Sequence, residues 1–190
     1  MPPLVYLDTE TTGLGKCVLV ELSFAVVNEF GGERMLETIL VKPTQPISID
    51  AMAVHNITEE EVADLPTFRE HPDYQRILDT IETGLVIAHN APFDIGVLER
   101  EGIKVGSYID TQQLAKTLLP DASRHTLQYL RHYLKVNVPK DQGNPHTSAG
   151  DVRVLMAVFE KLAQQVAFDH HLESDALVIE QARRISLNLV

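Results

Sequence analysis

Residues 85–100, "LVIAHNAPFDIGVLER", set a short, wholly apolar run directly against a helix-start signature. An apolar run this short, with no polar alternation, fits a buried central strand. Asn90 is a capping type and Pro92 is tolerated in a first helical turn, so the chain passes from strand to helix within a few residues. The step places Asp94 near a helix start, just beyond a strand end.

The preceding sequence supplies more of the sheet. Leu4 to Leu7 reads as a strand, and "CVLVELSFAVVN" from Cys17 and "RMLETILV" from Arg34 read as two more across the turn former "EFGGE". Short turns between them suggest an antiparallel start, which Pro43 and Pro46 then interrupt with a loop. Thr58 with Glu61 is a capping-box pair that opens a short helix, and "HPDYQRILDTIET" reads as another, ending at Gly84. "VGSYID" is a further short strand, and Asp110 with Gln113 forms a cap pair for a helix over "TQQLAKTLL". "SRHTLQYLRHYL" puts Leu127, Leu130 and Leu134 on one side of a helix. The spacing of Val152, Leu155, Met156, Phe159, Leu162, Ala163 and Val166 gives a last amphipathic helix. Asp151 stands at its N-terminal end, where backbone N–H groups favour negative charge. This order predicts an α/β fold with a mixed sheet. "SDALVIEQARRISLNLV" mixes strand-like and helix-like patterns and receives no element.

At 190 residues, with 44% hydrophobic and 23% charged, the chain suits one domain with a sizeable core. No stretch approaches the roughly 18 apolar residues of a membrane span, and the opening "MPPLVYLDTE" lacks the features of a secretion signal. The expectation is a cytoplasmic protein without a membrane partner. Cys17 is the only cysteine, so any metal is left to oxygen and imidazole ligands. The net charge of -11 argues against bulk electrostatic grip on long nucleic acid. It leaves room for an enzyme that handles a strand end, because divalent cations invert the local sign. Arg124, Arg131, Lys135 and Lys140 lie in the one conspicuously positive stretch, read either as solvated surface or as phosphate contact.

In "YLDTETTGL", Asp8 and Glu10 are two residues apart where the first strand ends, so they share a face. Asp94 and Asp151 also stand where the chain changes direction. Should these acids converge, hard oxygen-seeking cations such as magnesium or manganese relieve their repulsion. Two such ions, about 3.5 to 4 Å apart, can bracket a phosphodiester, one activating water and the other stabilising the leaving oxygen. His146, in "DQGNPHTSAGD" five residues before Asp151, is the candidate general base, with an ordinary pKa of about 6.5.

"YLDTETTGL", "VIAHNAPFDIGVL" and "HTSAGD" resemble the three exonuclease motifs of the DnaQ-like 3'-5' exonuclease family, in its version with four acids and a histidine, over about residues 4–165. The resemblance implies a ribonuclease H-like mixed central β-sheet flanked by helices. It implies an exonuclease domain over residues 1–168; the C-terminal extension, 169–190, lies outside the resemblance, and the expectation for it is packing on the same domain with no assigned role. It further implies catalytic Asp8, Glu10, Asp94, His146 and Asp151. Asp8 would bridge two Mg2+ or Mn2+ ions, Glu10 and Asp151 would complete the tighter site, Asp94 would act on the second ion, and His146 would activate the nucleophile. "PISIDAMAVHNITEEEVAD" and "LKVNVP" are similar to segments of the bacterial exonuclease X branch, which implies substrate contacts by Thr11, Met52, His55 and Asn90. Glu21-Leu22-Ser23 stands where relatives commonly have glutamate, isoleucine and glycine, a change that should leave the metals in place.

The function so implied is metal-dependent removal of nucleoside 5'-monophosphates from DNA 3' ends, single-stranded or frayed, with possible roles in DNA repair. RNA trimming is an alternative on the same scaffold, because acceptance of a 2'-OH depends on shape near the sugar. A proofreading subunit held by a polymerase is another, and a homodimer is open. A nucleotide-cofactor enzyme is the poorer reading, because "ETTGLG" is not a phosphate-binding glycine loop. His89, after the buried strand, reads as structural, Met52 equally as core packing, and Asp110 as a helix cap. The scarcity of positive tracts predicts distributive action unless a partner holds the DNA.

Overall fold

The computed structural model describes residues 1–29, 32, 35–139 and 147–189. Strands β1 (Leu4–Thr11), β2 (Leu19–Val27), β3 (Met35–Leu40), β4 (Leu85–Ala88) and β5 (Tyr108–Asp110) form one sheet in the order β3-β2-β1-β4-β5. The first three strands pair antiparallel, whereas β4 runs parallel to both β1 and β5. Helices α1 (Ile49–His55), α2 (Glu59–Val62), α3 (Tyr74–Thr83) and α4 (Ala91–Arg100) precede β5 or flank β4 in sequence, and α5 (Thr111–Leu118), α6 (Leu127–Tyr133), α7 (Ser148–His170) and α8 (Asp175–Ser186) follow it.

The two-residue period of the strands divides the interior into two cores. Leu4 and Tyr6 of β1 and Leu85 and Ile87 of β4 pack on the side of α5 to α8. Val5 and Leu7, with Val86 and Ala88, pack on the opposite side among residues of α3 and α4 such as Ile77, Ile81, Val97 and Leu98. All of β4 is therefore buried on both faces, as its apolar sequence requires. Helix α7 docks on β1 through Phe159, whose ring meets Tyr6 edge-on with centroids 5.9 Å apart. Gly84 closes α3 where a β-carbon would collide with Val5 and with the Thr80 carbonyl, so the chain enters β4 in a space only glycine fits.

Three local features depart from the sequence reading. Helix α1, capped by Ser48, whose hydroxyl accepts from the Ala51 N–H at 3.2 Å, occupies residues 49–55, which follow the proline loop and received no element from the sequence. Asn90 occupies the cap position of α4 in the left-handed region, φ 67°, and its side chain caps nothing. Its backbone N–H instead donates to Asp110 Oδ1 at 3.0 Å, an atom that also accepts from Gln112 and Gln113 to cap α5. The unassigned tail forms α8, whose Val178, Ile179, Ala182 and Ile185 are buried in the core shared with α7. The expected capping box at Thr58 and Glu61 is present.

Candidate active site

Asp8 and Glu10 continue the Leu4 and Tyr6 face of β1, so they point toward the helix layer that holds α7. Pairing with β2 slips immediately beyond them, where Glu10 opposes Glu21 but Thr11 opposes Leu19. A bulge of this kind ends a ladder and re-aims the side chains beside it. Asp151 enters from the first turn of α7, where Thr147 caps the helix by accepting from the Gly150 N–H at 3.2 Å. Asp8, Glu10 and Asp151 each bring a carboxylate oxygen within 4.8 Å of the others. Residues scattered across the sequence are thus gathered at one strand end.

Asp94 comes from the opposite layer. It sits in the first turn of α4 and is only 4% exposed. Thr9 points to that side between the two acids of β1, and both its N–H, at 3.1 Å, and its hydroxyl, at 2.7 Å, donate to Asp94 Oδ1. Asp151 is held differently, by the Gln128 amide of α6, which donates to its Oδ1 at 2.6 Å.

The electrostatics follow from this crowding. Burial, and then the charges of Asp94, Asp151, Glu10 and Glu21, push the Asp8 carboxyl well above its ordinary 3.8. Glu10 is pushed up to about 8 by burial and then by Asp151, Glu21 and Asp94. Burial raises Asp94 to about 7, against the hydrogen bonds from Thr9 that favour its charged form. Without a cation the group retains protons near neutral pH. Donors that are all carboxylate oxygens, close together and mutually repelling, fit a hard divalent cation.

A cleft of about 770 Å3 opens beside Glu10, lined by Thr9, Thr11, Gly13, Leu14, Val54 and His55 among others. Leu14 is 92% exposed at its mouth. The loop that carries Leu14 is pinned by the backbone bond from Thr12 to Val18, by Gln45 Nε2 donating to Thr12 Oγ1 at 2.7 Å, and by Arg100 Nε donating to the Cys17 carbonyl at 2.6 Å. His55 accepts the Ile57 N–H at Nδ1, 3.0 Å, which leaves Nε2 to donate to the Thr11 carbonyl at 3.2 Å. Its ring is neutral in that arrangement, burial lowers its pKa, and both nitrogens are engaged by backbone. The Thr11 hydroxyl likewise donates inward, to the Gly13 carbonyl. Met52 is half-buried against the small cluster of Val20, Ile47 and Val62, and Asn90 is exposed at the end of β4.

His146 lies outside the described residues. His89 ties its own strand end to the approach of α6, with Nε2 donating to the His125 carbonyl at 2.8 Å and Nδ1 2.9 Å from the Thr111 hydroxyl. In the positive stretch, Arg131 Nη2 donates to the Val138 carbonyl, Arg124 and Lys135 are exposed, and Lys140 lies outside the described residues. Sequence reasoning did not single out Glu21, Ser148 or Gln128 for the site. Glu21 had a signal: a hairpin register that pairs β1 with β2 places it opposite Glu10.

The sequence matches the Exonuclease family, of the RNase T type, over residues 5–159. The chain belongs to that family. A DNA polymerase III subunit epsilon-like protein of Rhodobacter capsulatus is 34% identical over 169 residues, covering 83% of this chain and 23% of that protein. Exodeoxyribonuclease 10 of Escherichia coli is 35% identical over 144 residues, covering 75% of this chain and 60% of that protein. The chain thus spans less than two thirds of the length of these two curated relatives. Among solved structures, exonuclease X in complex with 5' overhanging duplex DNA matches with a TM-score of 0.74 and 28% identity, covering 96% of this chain and 99% of the other. The mixed sheet flanked by helices is the ribonuclease H-like fold of these exonucleases. The family generally uses divalent metal ions, and the acidic trio at the end of β1 fits one. Among the described residues no helix is long and apolar enough to cross a membrane.

Proposed function

We propose that the chain is a two-metal-ion 3'-5' exodeoxyribonuclease that releases nucleoside 5'-monophosphates from DNA 3' ends. The observation that carries this reading is the meeting of Asp8, Glu10 and Asp151 oxygens within 4.8 Å, with Asp94 buried beside them and a cleft alongside. Asp8, Glu10 and Asp151 would hold one Mg2+ or Mn2+ ion and Asp8 with Asp94 the second. Bound there, the ions would activate a water and stabilise the departing oxygen of a phosphodiester. Holding Asp8 and Glu10 on one rigid strand fixes their spacing, and Thr9 fixes Asp94 to the same strand. His146, just ahead of the Thr147 cap, takes the proton of the attacking water in this reading.

At the cleft mouth the exposed Leu14 and Val54 offer apolar surface to base faces, while Asn90 presents an amide at the end of β4. With both His55 nitrogens and the Thr11 hydroxyl already engaged, these two contribute shape to the pocket. DNA is favoured over RNA by the similarity to exodeoxyribonuclease 10 and to the DNA-bound exonuclease X. The latter complex contains duplex DNA with a 5' overhang, so a recessed 3' end joins single strands among the substrates to test. A polymerase-held version of the same activity is the second reading, favoured by the similarity to DNA polymerase III subunit epsilon of Pasteurella multocida, 29% identical over 197 residues.

The test uses 5'-labelled oligonucleotides as single-stranded DNA, recessed duplex DNA and RNA, with Mn2+, with Mg2+ and with a chelator. Stepwise metal-dependent shortening of DNA with release of nucleoside 5'-monophosphates is expected. Shortening of RNA alone would overturn the substrate, and DNA cleavage unaffected by chelation would overturn the site.

A further inference from the structure

We propose that Glu21 and Ser148 are positioning residues that set Asp151 against Asp8 and Glu10, and thereby set the affinity of the site for a divalent cation. The inference rests on the metal-site reading above and deepens it. Ser148 is the first residue of α7, and Asp151 follows it by three residues on that helix. The Ser148 hydroxyl donates to Glu21 Oε1 at 2.5 Å. Its oxygen also lies 2.6 Å from Ser23 Oγ, which in turn is 2.7 Å from Thr38 Oγ1.

A hydroxyl has one proton to donate, and a carboxylate has none. The Ser148 proton therefore goes to Glu21, the Ser23 proton fills the contact to Ser148, and the Thr38 proton fills the contact to Ser23. With Glu21 as a carboxylate, this order alone satisfies all three contacts. Ser23 and Ser148 are both 0% exposed, which leaves no room for water to take either place. The chain of hydroxyls consequently runs from β3 through β2 to the start of α7, and it ends on the acid that faces Glu10 across the β1–β2 ladder. Glu10, Glu21, Ser148 and Asp151 form a closed frame in which the helix bearing one ligand is tied to the strand pair bearing another. Ser23 gains a role here: it holds Ser148 from behind.

The frame makes a prediction that mere structural support does not. Gln can still accept from Ser148 where Ala cannot, so Glu21→Gln should keep the positioning that Glu21→Ala loses. Metal-free wild-type, Ser148→Ala, Glu21→Ala and Glu21→Gln proteins are titrated with Mn2+ by isothermal calorimetry, and circular dichroism follows their folding. Hydrogen bonds behind metal ligands typically govern metal affinity by about tenfold or more, so Ser148→Ala and Glu21→Ala should each weaken Mn2+ binding about tenfold or more, while Glu21→Gln, which loses the same charge as Glu21→Ala but keeps an acceptor for Ser148, should bind Mn2+ several-fold more tightly than Glu21→Ala. Should Ser148→Ala fail to fold, the two Glu21 variants carry the decision. Folded alanine variants that bind Mn2+ like wild type, or a Glu21→Gln protein as weak as Glu21→Ala, would overturn the proposal and leave the nuclease reading intact. Wild-type protein that binds Mn2+ without shortening DNA would overturn the nuclease reading alone, and wild-type protein that binds no Mn2+ would overturn both.

Discussion

Asp94 and Asp151 reach the same strand end from opposite faces of the sheet, and they are held by different means. Asp94 is buried, and one of its two bonds from Thr9 comes from the backbone, so the path of β1 itself fixes it. Asp151 is half-buried and accepts a hydrogen bond from a side-chain amide on another helix, that of Gln128. One half of the site is therefore written into the strand, since almost any residue at position 9 would supply an N–H. The other half is held in part by the Gln128 side chain, which one substitution removes. Local ladders and helix turns are set by backbone geometry, whereas the meeting of α6, α7 and β2 is set by packing.

Substitutions can break this contrast in order of severity. Asp8 is the acid whose field is shared by both halves, so Asp8→Ala should reduce metal-dependent DNA shortening to background in the oligonucleotide assay. Gln128→Ala removes the amide that holds Asp151 and should weaken Mn2+ binding about tenfold in a calorimetric titration. Thr9→Val removes the hydroxyl bond to Asp94 but keeps the N–H, so the loss should be smaller, about threefold in the Mn2+ concentration that half-saturates activity. A Thr9→Val effect larger than that of Gln128→Ala would reverse the comparison.

The smallest effect sharpens the contrast through pH. Glu10, raised from 4.5 to about 8, and Asp94, raised from 3.8 to about 7, bind protons more tightly in the folded chain than in the unfolded one. Their contribution to stability is complete below their ordinary values and is lost as pH rises through about 7 to 8. The metal-free protein should melt at progressively lower temperature over that range in a thermal scan, and Asp94→Asn should flatten the part of the decline near neutral pH. Added Mn2+ should stabilise most at the alkaline end, where it displaces fewest protons.

How much of this was legible in the sequence depended on how local each feature is. The shared face of Asp8 and Glu10 follows from two-residue spacing, and the burial of β4 follows from an unbroken apolar run, so both could be read directly. Helix α8 was obscured: Val178, Ile179, Ala182 and Ile185 have helical spacing, but Leu177, more than half exposed, puts an apolar residue on another face, and Leu187 and Leu189 carry the apolar pattern past the helix end. The left-handed turn at Asn90 depends on Asp110, which lies 20 residues away and captures its N–H. The Ser148–Glu21 bond spans 127 residues and exists only because the first turn of α7 lands on β2. Spacing reveals which side chains share an element, and packing alone decides which elements meet.

The central claim is that the acids at the end of β1 hold two divalent ions against the last phosphodiester of a DNA strand. Anomalous scattering from crystals soaked with Mn2+ and a short oligonucleotide ending in the cleft tests it most directly. The account predicts two manganese peaks sharing Asp8, one also bound by Glu10 and Asp151 and the other on the side of Asp94. An occupied cleft with no manganese peak at Asp8 would contradict it.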